Sequence, residues 1–228
     1  ALDTGLEHLG SVPGLYLSYG AYPRADGSSV FPRGLWDGVT QCAQPLDLDA
    51  IREDSAHAWL DDAGGPRHPA DGQTQPLLEK TDAYTWNKAP RLAGAVLETG
   101  AIARQLIAGQ PLLRDAVARC SATVYTRLLA RLLELAQVVP LMESWLIALR
   151  PGEPYYRAAA LPDKGRAVGL TEAARGALGH WLEVEHGKIS RYQIIAPTTW
   201  NFSPRDAQGQ PGALEQALQG APVLPGEK

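Results

Sequence analysis

An apolar stripe between Pro111 and Val139 limits the fold more than any other feature of this chain. Leu112, Leu113, Ala116, Val117, Cys120, Val124, Leu128, Leu132 and Leu135 recur at three- and four-residue steps. That spacing places side chains on one face of an α-helix. Arg114, Arg119, Arg127 and Arg131 mostly fall off that face. Pro111 suits a first helical turn, and Pro140 interrupts or kinks the far end. The pattern predicts a helix over 111–139, with 141–149 continuing past the kink. An earlier helix is expected over 97–108, weakened by Gly100 and ended by Gly109. Paired helices of this kind bury their stripes against each other, so packing is the expected role of each of these leucines.

The flanking regions read differently. Residues 1–40 are rich in Gly, Pro and Tyr, and Gly14-Leu15-Tyr16-Leu17-Ser18-Tyr19-Gly20 followed by Phe31-Pro32-Arg33-Gly34 predicts short strands joined by turns. A short helix is expected from near Asp49, with Ile51, Ser55, Ala58 and Trp59 on one face and Glu53-Asp54 capping or solvating it. Residues 61–82 form a long polar loop, and 151–168 are again loop-like. A hairpin follows, with strands over 178–185 and 189–195. A last short helix covers 211–218, and 221–228 fray. The expected fold class is α+β: a long helical hairpin or bundle flanked by small antiparallel sheets. Residues 1–228 read as a single domain, strand- and loop-rich over 1–95, helical over 96–150, and a hairpin with a C-terminal loop and helix over 168–228.

Composition removes several function classes. The net charge of −4 gives no basic field for nucleic acid or an anionic membrane. No apolar run reaches the roughly 20 residues of a membrane span, and no signal-peptide pattern opens the chain. Six Trp and eight Tyr against two Phe make a polar-tipped aromatic set, the kind found at interfaces. Cys42 and Cys120 are expected as unpaired thiols in a reducing compartment, Cys120 as a small core residue of a helix face. Expected locations are the cytoplasm, or a membrane reached through a partner. No nucleophile elbow, metalloprotease helix or phosphate loop is present.

Two runs near the end carry chemistry: Glu172-Ala173-Ala174-Arg175-Gly176-Ala177-Leu178-Gly179-His180-Trp181 and Ile195-Ala196-Pro197-Thr198-Thr199-Trp200-Asn201-Phe202-Ser203-Pro204-Arg205-Asp206. With them stand, in order, Leu17-Ser18-Tyr19-Gly20, Phe31-Pro32-Arg33-Gly34, and Ile51-Arg52-Glu53-Asp54 with His57 and Trp59. Next come His68-Pro69 with Gly72-Gln73-Thr74 and Pro76, then Tyr84-Thr85-Trp86-Asn87-Lys88-Ala89-Pro90-Arg91, then Glu98-Thr99-Gly100-Ala101-Ile102-Ala103-Arg104. Ordered this way, the segments resemble the later half of the large, metal-binding subunit of nickel–iron hydrogenases, nearest its uptake and hydrogen-sensing branch.

The resemblance implies reversible splitting of dihydrogen at a nickel–iron centre that carries carbon monoxide and cyanide. That family holds its metals with two Cys-x-x-Cys pairs, and this chain has neither. It therefore implies no metal ligand here, only the surroundings that orient and tune a site. Arg175 matches the arginine over the open metal position, where a fixed cation can polarise bound dihydrogen or assist proton transfer. Pro197 and Thr198 match the segment that hydrogen-bonds a cyanide. Ala174 stands where the family usually has Pro, which bears on the rigidity behind Arg175. The implied partner is an iron–sulfur small subunit, met by the aromatic-rich surface. A second reading is a non-catalytic assembly scaffold that works with hydrogenase maturation proteins. A third is a degenerate fragment with no activity.

Plainer roles stand beside these. Arg175 fits a salt bridge or a helix start, and Pro197 to Trp200 fit a strand running into a loop. Trp181 and Trp200 are expected in the core, and Glu98 and Arg104 in internal ion pairs. His57 and His68 are expected to fix loops. His180 divides evenly between supporting the site and a satisfied, half-buried position.

Overall fold

In a computed structural model, the structure describes residues 5–12, 14–154, 156–223 and 226. A four-stranded sheet lies at its centre. Strands β1 (Leu15–Pro23) and β2 (Ser29–Asp37) form an antiparallel hairpin, β3 (Cys42–Gln44) pairs with the outer edge of β2, and β6 (Leu97–Thr99) runs parallel to β1. Alternate residues of a strand point to opposite faces, and β1 uses both. Tyr16 joins one apolar cluster with Trp36, Ile102, Leu106 and Leu113, while Leu17 and Tyr19 join a second with Leu35, Ile51, Trp181 and Trp200. Helices therefore cover one face of the sheet, and smaller sheets cover the other.

The helical layer has three members: α1 (Ala101–Ile107), α2 (Pro111–Cys120) and α3 (Val124–Ala148). Both α1 and α2 pack against α3. Two expectations fail here. Residues 97–99 are strand β6, and the earlier helix starts only after Gly100, whose φ of 124° few other residues tolerate. Gly109 follows α1 with a positive φ, as expected of a helix-ending glycine. The 111–139 stripe is also not one helix. It breaks at Ser121, where φ is 61°, and Thr123 restarts it through a capping box with Thr126. Two ties hold the break: Val12 donates to the Ala122 carbonyl and Val124 to that of Leu9. Pro140 removes one backbone donor from α3 without ending it.

The leucines correct a further expectation. Leu113, Ala116 and Val117 are buried, but Leu112, Leu128, Leu132 and Leu135 are exposed. The stripe continues along α3 beyond the surface that α1 and α2 cover.

Residues 51–60 are not a helix. Ile51–Asp54 is strand β4, paired antiparallel with β5 (Ala89–Leu92). The period-3.6 reading failed because it assumed exposed acids, and Glu53 and Asp54 are both buried. Neither caps a helix. Glu53 accepts from Gln193 Nε2 at 2.8 Å and lies 3.7 Å from Lys88 Nζ. Asp54 accepts the backbone N–H groups of Ala56 and Ala207. Pro90 sits opposite Glu53, whose backbone bonds outward to Arg67, so the missing proline N–H leaves no gap in the ladder.

The third sheet has three strands: β7 (Gly165–Ala173), β8 (Gly176–Glu185) and β9 (Lys188–Ile195). The expected hairpin is β8–β9, joined by a turn in which His186 and Gly187 have positive φ. Strand β7 corrects the loop reading near residue 165. It leads directly to Ala174 and Arg175. Helix α4 (Pro197–Asn201) follows β9, and α5 (Ala213–Leu218) stands where a short helix was expected.

Candidate functional site

Arg175 lies neither in a helix start nor in a salt bridge. With Ala174 it forms the two-residue turn between β7 and β8, closed by the Ala173–Gly176 pair. That turn presses on the β6–α1 junction. A Cβ on Gly176 would lie 2.2 Å from Thr99 Oγ1, and one on Gly100 would lie 3.1 Å from the Arg175 carbonyl oxygen. Both contacts require glycine, which explains Arg-Gly on one side and Thr-Gly on the other.

Helix α4 reaches the same place from β9. Asn201 ties it to β6: its Oδ1 accepts from Thr99 N at 2.9 Å, and its Nδ2 donates to Thr99 O at 3.1 Å. The side-chain amide thus stands in for a neighbouring strand. Asn87 holds the other side, donating to the Phe202 carbonyl at 3.0 Å.

These elements border an open cavity of about 360 Å³, onto which Ala174, Arg175, Thr198, Thr99 and Arg131 open. Ala174, Arg175 and Arg131 also border a neighbouring space of about 570 Å³, together with Arg104, Glu134 and Glu172. Of the expected site residues, Arg175, Thr198 and Ala174 come together. Pro197 is buried at the start of α4, behind Thr198, and does not line the cavity. As a first-turn residue it fixes the helix that presents Thr198.

No hydrogen bond or ion pair holds the Arg175 guanidinium among the described residues. Thr99 Oγ1 is buried and has no hydrogen-bond partner, so the cavity wall carries an unused hydroxyl.

The other residues singled out sit elsewhere. His180 stacks on Tyr192 with Nδ1 2.7 Å from its hydroxyl and lines neither space. His57 bonds the Asp82 carbonyl, and His68 Nδ1 accepts from Ala70 N, so both fix loops. Trp181 and Trp200 are core residues. Glu98 pairs with Arg127, and Arg104 with Glu134 and Glu172. Thr99, Asn201 and Arg131 were not singled out from the sequence for this site. Asn201 closes the Pro-Thr-Thr-Trp-Asn run, and Thr99 precedes a glycine, which is the only local signal either gave.

A family model described as nickel-dependent hydrogenase matches residues 4–228. The chain belongs to the nickel-dependent hydrogenase family. The large subunit of the periplasmic [NiFeSe] hydrogenase of Desulfomicrobium baculatum is 32% identical, covering 91% of this chain and 44% of that protein. The large chain of hydrogenase-1 of Escherichia coli (strain K12) is 34% identical, covering 89% and 42%. The uptake hydrogenase large subunit of Azotobacter chroococcum mcd 1 is 32% identical, covering 92% and 44%. The [NiFeSe] hydrogenase of Desulfovibrio vulgaris Hildenborough in its as-isolated oxidized state superposes with a TM-score of 0.83 at 30% identity, over 96% of this chain and 49% of that one. The chain thus spans under half the length of the curated hydrogenases it matches.

Membership implies a nickel–iron centre, and the described residues of this hydrogenase chain hold no ligand set for it. They contain no group of three or more His, Cys, Asp or Glu placed to bind a metal. Cys42 is exposed on β3, and the Cys120 thiol donates to the Ala116 carbonyl; both are free. The cavity instead offers two cations, Arg175 and Arg131, and two hydroxyls, from Thr99 and Thr198. That donor set fits the surroundings of a metal centre and does not fit its coordination. No helix among the described residues is long and apolar enough to cross a membrane.

Proposed function

We propose that this chain forms one wall of the nickel–iron site in a hydrogenase large subunit acting on dihydrogen. One observation carries the reading: Arg175 and Thr198, delivered by a β-turn and by a separate helix, open into one cavity. The family's metal centre, when bound, supplies the redox chemistry. The roles of the residues follow from their chemistry. Arg175 presents the planar donor fork of its guanidinium, exposed and unshared, to this cleft. It would orient a small substrate and stabilise negative charge developing beside it. Thr198 offers a donor and acceptor hydroxyl, held in place by Pro197 and the α4 turn. Ala174 and Gly100 keep the approach to the guanidinium free of side-chain bulk.

Names of relatives supply the rest. They are large subunits, and we infer an iron–sulfur small subunit as electron partner. Exposed aromatic residues, Tyr84 and Trp86 among them, make a surface suited to it. The Desulfomicrobium relative is periplasmic by name.

The test uses the complete subunit with its small subunit and metal. Arg175→Lys is expected to lower turnover roughly 10²–10³-fold, the range seen when one preorganised donor is lost, while nickel content by elemental analysis stays at one per subunit. Full turnover at full loading would remove Arg175 from the chemistry. The assembly-scaffold reading separates in the same assay, since a scaffold shows no turnover in any form.

A further inference from the structure

Arg175 has no side-chain partner and is exposed, so the held part of it is its backbone, which sets the point from which its side chain enters the cavity. That backbone is held from α1. Arg104 is 2% exposed, and each of its five N–H donors has its own acceptor. Nε and Nη2 grip the two carboxylate oxygens of Glu134, at 2.8 and 2.7 Å. Nη1 donates to Glu172 Oε2 at 2.7 Å and to the Ala173 carbonyl at 3.1 Å. The remaining Nη2 proton goes to the Ala174 carbonyl at 3.2 Å. The two carbonyls belong to the residues immediately before Arg175.

Burial works against the Arg104 charge, but hydrogen bonds and charge from Glu134 and then Glu172 outweigh it and keep its pKa above the usual arginine value. Glu172 is fixed in turn by Tyr19 N at 2.7 Å. The β7–β8 turn is thus fastened to α1 and α3 through one planar fork, and to β1 through Glu172. Lysine cannot copy it, having three donors on a single nitrogen.

We propose that Arg104 is the positioning residue for Arg175: its grip on the Ala173 and Ala174 carbonyls sets where the Arg175 guanidinium stands in the cavity. This deepens the function proposed above and rests on it for the catalytic consequence, though not for the structural one.

Arg127 provides the comparison. It too is an arginine of the helical layer bound to a buried glutamate, Glu98, and to the Gly10 carbonyl, but it makes no hydrogen bond to residues 173–175. Arg104→Lys and Arg127→Lys are made in this chain and followed by thermal unfolding, hydrogen exchange and the Nε–Hε resonance of Arg175. Both variants should lower the melting temperature. Only Arg104→Lys should speed amide exchange over residues 172–177 by tenfold or more, with the β8–β9 turn as internal reference, and shift the Arg175 resonance. Unchanged exchange and resonance in a folded Arg104→Lys chain would overturn the proposal. If that variant does not fold, Glu134→Gln loosens the fork from the α3 side; it should give the same local change at smaller amplitude, and no change there would be equally fatal.

In the complete loaded enzyme, Arg104→Lys should lower turnover at least tenfold, and should add nothing further on an Arg175→Lys background. A full additional loss in the double variant shows that Arg104 acts by another route. If Arg175→Lys alone leaves turnover intact, the functional reading fails, while the exchange and resonance measurements still decide the positioning.

Discussion

Two buried arginines solve the same electrostatic problem for different ends. Arg91 on β5, like Arg104 on α1, engages all five donors. Its partners are Asp206 Oδ2 at 2.9 Å, Ser203 Oγ at 3.1 Å, and the carbonyls of Pro90, Pro204 and Gln210. Apart from Pro90, they all lie in one loop between α4 and α5. Asp206 also accepts the backbone N–H groups of Gln208 and Gln210. Arg91 and Asp206 are both dry, with side chains 4% and 3% exposed. Arg104 has two carboxylates from two separate elements: Glu172, as dry with its side chain 1% exposed, and Glu134, 19% exposed. The Arg91 knot ties a single loop to β5. The Arg104 knot stands at the edge of a cavity and joins three elements there. An arginine whose donors go almost entirely to one loop is a fastener; one whose donors go to several elements fixes their relative placement, and here the placed group is a turn with an unpaired cation.

Four experiments press on this contrast. Removing the dry knot should cost most: Arg91→Ala leaves Asp206 buried without its cation, for a loss of about 3–5 kcal/mol in urea unfolding. Faster exchange should then appear over 203–212 and not over 173–176. Arg104→Gln should cost less, about 2–3 kcal/mol, because Glu134 can turn to water once the fork is gone and Glu172, though its side chain is 1% exposed, keeps the Tyr19 N–H. Equal losses would erase the distinction between a closed and an open knot. Arg175→Lys should change stability by less than about 0.5 kcal/mol, as expected of a side chain without partners. A loss above about 1 kcal/mol would mean that Arg175 holds the fold. Leu132→Gln, on the uncovered part of α3, should have the smallest effect, within about 0.5 kcal/mol in the same assay.

The sequence was most informative where pattern and packing agree. The β1–β2 strands, the β8–β9 hairpin, Pro111 at a helix start and Gly109 after a helix all have local signals that the tertiary structure leaves standing. The meeting of Ala174, Arg175 and Thr198 in one cavity was legible only through family resemblance, because nothing local links a β-turn to a helix more than 20 residues later. Strand β4 was misread because burial of Glu53 and Asp54 depends on Lys88, Gln193 and Ala207, which no short window contains. The break at Ser121 was hidden by a stripe that keeps its period across it, so the periodicity held while the axis changed. Strand β7 is an edge strand, mostly exposed and carrying Gly165 and Gly169, and shows no clean alternation. Thr99 and Asn201 stood inside quoted runs but no local rule assigned them a role; their importance lies in a side-chain amide mimicking a strand.

The clearance at Gly176 has a consequence for how this chain can change over time. With 2.2 Å between a hypothetical methyl carbon there and the Thr99 oxygen, substitution at position 176 must first shift the start of α1, and Arg104 moves with it. The turn is therefore a geometric keyhole: its tip is free to vary in chemistry, while its stem is fixed by the lack of room for a single extra carbon. Variation in the reach or charge of residue 175 can be explored one mutation at a time, whereas relocating it demands coordinated change in at least three separate segments.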